Sequence, residues 1–343
     1  GMKLIRLLLI PIAMLYGLIL SIRNGLFNFK FFKSQHTLLP SIGIGNLSTG
    51  GTGKSIVVDY LISIYHSKYS IAVLSRGYGR KSTGFKIANS SSSAIEIGDE
   101  PFQFFKKYPN IKVVVGENRV SAVNKIFKYE PKINLLILDD VMQHRWITPS
   151  HLILTTTYSN PFFNDFILPF GNLREYAVGK KRAQTIIVTK CPSSFSEQNR
   201  IDFEKKCNLL STQNIFFTKI NYSETILNNN EKLDFVNLKS KKIVLVTGIS
   251  DSQPLVEFLN SNNISFNHLK YRDHFNYDTM AIKKIKKEAN SSLILTTEKD
   301  YGRLFPLLKS NKLYYIPINL TFFSKNEEHE FNEKIKSFIK IKN

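Results

Sequence analysis

Cysteine is scarce in this chain: 343 residues carry two, Cys191 and Cys207, with neither C-x-x-C nor metal-ligand spacing. That argues against a cysteine-built metal centre and for a reduced, cytosol-facing protein. Acidic residues are missing from the front of the chain, where none occurs before Asp59. No A-x-A cleavage site follows the apolar run near the N-terminus, so a cleaved signal peptide is not expected. Gly1 ahead of Met2 reads as a cloning remnant. There is no solenoid-type repeat. A net charge of +20 invites a nucleic-acid reading, but no nucleic-acid module accompanies it, and Lys, Asn and Ile are abundant throughout. An anionic membrane or a phosphate-bearing substrate suits that charge as well, and no nucleic-acid partner is expected.

What is present starts with an apolar front end. Residues 7–22 run for sixteen positions without a charge, flanked by Lys3, Arg6 and Arg23. As a helix the run spans about 24 Å, short of the roughly 30 Å hydrocarbon core. Pro11 and Gly17 interrupt it, Phe27, Phe29, Phe31 and Phe32 follow, and Lys30 and Lys33 add charge. Residues 2–35 are therefore expected to form a helix at the surface of an anionic leaflet; the alternative is a buried core helix. The remaining length is enough for two cores.

Four glycines, Gly45, Gly50, Gly51 and Gly53, fall between a short apolar stretch at 41–45 and the amphipathic run that opens at Lys54-Ser55. This is the order of a phosphate-binding loop. Glycines let backbone N–H groups close on phosphate oxygens, the helix start adds positive dipole, Lys54 reaches the β- and γ-phosphates and Ser55 can ligate Mg²⁺. Ser48 stands at the first glycine position of the usual pattern. Ser48, Thr49, Gly50, Gly51, Thr52, Gly53, Lys54 and Ser55 are the candidate nucleotide-binding residues, with Mg²⁺ as the metal.

Strands expected at 71–75, 112–115, 135–139, 151–154 and 185–189 alternate with helical segments, the signature of a doubly wound, mostly parallel sheet. The strand at 135–139 ends in Asp139-Asp140, which reads as a carboxylate pair beside the phosphate loop holding Mg²⁺. Asp99-Glu100 before Pro101 could simply cap a helix, Arg174-Glu175 could be a surface ion pair, and His274 could be packed or solvated. An Asn/Lys-rich stretch at 226–240 reads as a linker between a P-loop core, 36–225, and a smaller α/β domain, 241–343, with strands at 242–247, 265–269, 293–297 and 313–318.

The chain resembles the tetraacyldisaccharide 4′-kinases, the lipid A 4′-kinases of Gram-negative bacteria. Seven motifs in order carry the likeness: the loop from Gly45 to Ser55, Leu74-Ser-Arg-Gly-Tyr-Gly79, Gly98-Asp-Glu-Pro101, Asp139-Asp-Val-Met-Gln-His144, Gly171-Asn-Leu-Arg-Glu175, Asp273-His-Phe275 and Thr297-Glu-Lys-Asp300. Ser55 stands where Thr is usual, Val141-Met142 replaces a Gly-containing pair, and His274 is single where a His pair is common. The resemblance implies transfer of the ATP γ-phosphate to the 4′-hydroxyl of a lipid A disaccharide 1-phosphate, by a peripheral enzyme on the cytoplasmic face of the inner membrane. It implies Asp99 as catalytic carboxylate oriented by His274, a Mg²⁺ environment of Ser55, Asp139, Asp140 and Glu175, and Arg119, Asn172 and Arg174 facing acceptor and phosphates. A monomer is expected. The competing reading is a membrane-associated P-loop NTPase that acts as a switch or delivery factor.

Overall fold

The computed structural model describes residues 9–340. Its larger sheet grows from apolar segments too short for helices. Ser41–Gly45, Ile71–Ser75, Leu135–Asp139 and Thr185–Thr189 are buried at every position, as strands covered on both faces must be. Nine strands lie in the order Ile318–Phe322, Asn214–Tyr222, Thr185–Thr189, His151–Thr157, Ser41–Gly45, Leu135–Asp139, Ile71–Ser75, Lys112–Val115 and Lys86–Ile87. The inner strands are parallel and each edge strand is antiparallel to its neighbour. One apolar cluster gathers around Ile44, Leu61, Ile137 and Phe331, and another around Leu74, Leu138, Leu154 and Phe217. The glycine-rich loop leaves the carboxyl end of the central strand, where doubly wound sheets place their ligands.

The smaller sheet has the order Lys232–Asp234, Thr225–Leu227, Leu313–Ile316, Leu293–Thr297, Ile243–Thr247 and Asn267–Lys270. Its last four strands are parallel, and the first two form an antiparallel hairpin on the edge. Two features depart from the domain limits read in the sequence. The stretch at 226–240 is not a bare linker, because that hairpin and the 3₁₀ helix Phe235–Ser240 lie within it. The chain also leaves the smaller sheet after residue 316. Ile318–Phe322 pairs with Asn214–Tyr222, and the helix Lys325–Lys340 packs Phe331, Ile335 and Ile339 into the larger core. Tyr60 pins that helix by donating its hydroxyl to Glu328, 2.9 Å away.

At the other end, Ile10–Asn28 is one uninterrupted helix. Pro11 sits in its first turn, where a missing N–H costs nothing, and Gly17 is a contact: a Cβ there would lie 2.2 Å from the Tyr176 hydroxyl. Lys3, Arg6 and the start of the apolar run at Leu7 lie outside the described residues. The helix is not a core helix. Met14, Leu15, Leu18, Ile19 and Ile22 are all more than half exposed, while Ala13, Gly17 and Phe27 are buried. By length and composition it is apolar enough to cross a membrane.

The C-terminal return gives a test. Phe331 is fully buried against Tyr60, Phe216 and Phe322, so Phe331→Ala should cost the larger domain about 3–5 kcal/mol in urea unfolding. A loss under about 1 kcal/mol would mean the helix is not part of that core.

Candidate active site

The phosphate loop is held open by backbone geometry that side chains rarely adopt. Gly50 and Gly53 have φ of +96° and +84°, and a Cβ on Gly53 would lie 2.8 Å from Thr189 Cγ2. Gly53 then caps the helix Lys54–Tyr65, whose first turn carries Lys54 and Ser55. Asn46 laces the loop from within: its amide donates to the Ser48 carbonyl at 2.7 Å and to the Thr52 hydroxyl at 2.9 Å. Outside, Thr49 donates its N–H to the Asn172 carbonyl at 2.7 Å, and Arg174 donates its N–H to Leu47. The segment 171–175 thus runs beside the loop as a short brace, with Ser48 and Leu173 bridged.

The two strand-end acids receive opposite treatment. Asp140 (φ +52°) accepts both guanidinium nitrogens of Arg174, at 3.0 and 3.3 Å, and lies 3.6 Å from the Lys54 ammonium. Burial alone would raise its pKa, but Lys54 and Arg174 outweigh it and hold the carboxyl below its usual range. Asp139 is 3% exposed and accepts one hydrogen bond, from Ser75 at 2.9 Å, on Oδ2. Its other oxygen is buried with no partner. Burial, then the charges of Glu100 and Asp140, push it up to about 7. An orphaned buried carboxylate oxygen beside a second acid, next to a loop of open amides, fits a cation brought in with a polyphosphate. Among the described residues no group of three or more His, Cys, Asp or Glu side chains could hold a metal. Two carboxylates with Ser55 and phosphate oxygens are the donor set suited to Mg²⁺, which seldom uses an all-protein cage.

Three expected positions have protein partners of their own. Glu175 is buried in an ion pair with Arg182 at 2.6 Å and accepts from Gln143 at 3.0 Å and, from the N-terminal helix, from Asn24 at 3.3 Å. Arg119, 1% exposed, donates to the main-chain carbonyls of Gly116 and Asp139. It is a strut under the strand ends, because a buried guanidinium needs fixed acceptors. Asn172 is exposed, and its amide donates to Asp165 at 3.1 Å; only its backbone serves the loop. Arg174 stands with Lys54 against Asp140, beside the glycine-rich loop.

The structure brings Asp99 and His274 together from the two sheets. Asp99 opens the helix Asp99–Lys107 of the larger domain, behind Gly98, whose φ is +97°. His274 follows the strand Asn267–Lys270 of the smaller domain and has φ +52°. Its Nδ1 lies 3.1 Å from Asp99 Oδ2. Arg303 lies 3.6 Å from the same oxygen, and the Lys299 ammonium 3.0 Å from His274 Nε2. Burial works to raise the Asp99 pKa, but His274, Arg303 and Lys299 outweigh it and hold the carboxylate below its usual range. Arg303 and Lys299 were not among the residues expected from the sequence. Lys299 lies inside the motif at 297–300, and i, i+4 spacing from it to Arg303 was the available signal.

A glycine-rich loop, paired strand-end acids and a separate carboxylate–histidine pair define a phosphotransferase of the P-loop class. The family model described as tetraacyldisaccharide-1-P 4′-kinase matches residues 5–340, and the chain belongs to that family. Its relatives agree. A protein of Flavobacterium johnsoniae named tetraacyldisaccharide 4′-kinase is 42% identical, over 99% of this chain and 98% of its own. One of Bacteroides thetaiotaomicron with the same name is 36% identical, over 97% and 93%. The solved structure of LpxK from Aquifex aeolicus in complex with ATP superposes with a TM-score of 0.79 at 26% identity, covering 96% of this chain and 99% of that one. The α/β fold and the lipid A 4′-kinase activity expected from the motifs therefore stand.

The acid pair predicts a pH dependence. With the Asp139 carboxyl up at about 7, it is protonated below that pH, and a metal must then displace the proton. The Mg²⁺ concentration for half-maximal activity should rise by up to about tenfold between pH 7 and pH 6 and level off above pH 8. A requirement that stays flat from pH 6 to pH 8 would contradict this assignment of Asp139.

Proposed function

We propose that Asp99, held by His274, receives the proton of the acceptor's 4′-hydroxyl while this kinase transfers the γ-phosphate of ATP to a tetraacyl disaccharide 1-phosphate. The observation that carries this reading is the 3.1 Å contact between Asp99 and His274, which joins one residue from each domain. A low carboxylate pKa suits the reaction. Phosphoryl transfer through a loose transition state asks little of the nucleophile, so the carboxylate chiefly has to be ionised, placed and able to accept late in the step.

The rest of the cleft follows from charge. Lys54 and the loop amides hold the β- and γ-phosphates, and Arg174 adds a second cation at the same end. In the structure both cations lie against Asp140, and an arriving polyphosphate would share them. Asp139, Asp140 and Ser55 would hold Mg²⁺. When bound, Mg²⁺ with ATP supplies the transferable phosphoryl group and neutralises charge building on its oxygens.

The N-terminal helix ties this cleft to the lipid. One side docks on the motif beside the phosphate loop: the Tyr16 hydroxyl donates to the Arg174 carbonyl at 3.2 Å and Asn24 reaches Glu175. The other side offers Met14, Leu15, Leu18, Ile19 and Ile22. We assign that side to the acyl region of the cytoplasmic leaflet of the inner membrane, with Phe29 and Phe31, both exposed, at its border. A glycolipid lying in that leaflet then reaches the cleft without leaving the membrane.

Groups that act as a unit give non-additive losses. Asp99→Ala and His274→Ala should each lower kcat by roughly 10²–10⁴-fold, the double variant should match the worse single one, and ATP affinity should change little. Single-turnover rates at saturating ATP check this. Losses that multiply in the double variant, or single losses of only a few fold, would overturn the dyad.

A further inference from the structure

We infer that Lys299 is a positioning residue that fixes the tautomer of His274, with its proton on Nδ1 and therefore aimed at Asp99. The inference rests on the dyad reading above. It starts from an elementary inventory: an ammonium group has three donors and no acceptor. At 3.0 Å from the Lys299 ammonium, His274 Nε2 can only accept. A neutral imidazole accepting at Nε2 carries its hydrogen on Nδ1, and Nδ1 lies 3.1 Å from Asp99 Oδ2. The lysine on one side of the ring decides the donor on the other.

The surrounding charges hold this arrangement in place. Asp273 Oδ1 lies 3.5 Å from the Lys299 ammonium and also accepts the His274 main-chain N–H at 3.0 Å. Tyr78 lies against the imidazole, ring centres 5.5 Å apart. On the far side Arg303 faces Asp99 and is itself gripped by Asp300 at 2.6 Å. Asp300 is fully buried and also accepts from the Gly248 N–H and the Thr297 hydroxyl, each at 2.8 Å. Around the imidazole the groups alternate in sign: Asp273 and Lys299 on one side, Asp99, Arg303 and Asp300 on the other. Lys299, Asp300 and Arg303 all lie on one helix, Glu298–Leu308, so one rigid element sets both ends of the dyad. Every contact named falls on Asp99 Oδ2. Among the described residues none falls on Oδ1, which is the oxygen left for the acceptor hydroxyl.

Lys299 is a partly exposed side chain on a helix surface, so its substitution should leave the fold intact. Nitrogen NMR of the imidazole in the full-length protein at pH 7.5 reads the tautomer directly. The wild type should show Nδ1–H. Lys299→Met should shift His274 toward Nε2–H and lower kcat by roughly 10- to 100-fold, the usual effect of losing a group that orients a reactive side chain, with the KM for ATP unchanged. Lys299→Arg, also a donor without an acceptor, should keep the wild-type tautomer and recover most of kcat. An Nε2–H signal in the wild type, or an unaltered Nδ1–H signal in Lys299→Met, would overturn the inference even if His274→Ala confirms the dyad. If His274→Ala hardly affects kcat, it is the dyad that fails, while the NMR result still judges Lys299.

Discussion

The whole arrangement turns on one polar contact between two sheets that otherwise keep separate cores. Asp99 and His274 stand 175 positions apart and meet where the two domains adjoin. What makes the contact possible is apolar and ionic packing behind it. The helix Glu298–Leu308 of the smaller domain lies against the helix Asp99–Lys107 of the larger one. Lys107, from the latter, lies 2.7 Å from Asp59 and 4.0 Å from Glu298. The chain then crosses back, placing Ile318–Phe322 and the last helix on the larger sheet. Two crossings tie the domains more firmly than one linker, which limits how far the dyad partners can drift.

At the other end of the cleft the governing quantity is uncompensated burial. Asp139 and Asp140 are neighbours in sequence, yet Asp140 is met by two cations and Asp139 by one hydroxyl. Leaving a carboxylate oxygen buried and unpaired costs at least about 1–3 kcal/mol. A protein keeps such a group where a bound cation will satisfy it. Glu175, by contrast, already has Arg182, Gln143 and Asn24 against its oxygens. Glu175 instead couples the N-terminal helix to the phosphate loop, so the lipid-facing element and the nucleotide-facing element share a neighbour.

Much of this was legible in the sequence, for reasons that differ by element. The phosphate loop could be read because its geometry demands glycines at positions such as Gly50 and Gly53, and the parallel strands because burial on both faces leaves unbroken apolar runs. Asp99 and His274 looked ordinary one at a time, a helix cap and a solvated histidine; only the order of the motifs paired them. The main-chain bonds of Arg119 to Gly116 and Asp139 had no sign in the sequence, where a buried arginine looks like any cleft arginine. Pro11 and Gly17 were read as breaks in the N-terminal segment, whereas the first is harmless in an initial turn and the second lets Tyr176 approach. The return of the chain after Ile316 had no local sign, since strand pairing between Tyr222 and Ile318 is a non-local choice. Lys299 and Arg303 gain meaning only once the helix carrying them is seen against Asp99.

If Asp99 serves the acceptor hydroxyl as proposed, the γ-phosphate goes to the glycolipid and not to water. The most direct measurement is the ratio of ATP consumed to 4′-phosphate formed when the purified protein turns over tetraacyl disaccharide 1-phosphate with Mg²⁺, alongside ATP use with the acceptor left out. The account predicts a ratio close to one and ATP use that all but disappears without the glycolipid. ATP consumption at the same rate with and without it, and no bisphosphorylated product, would contradict the account.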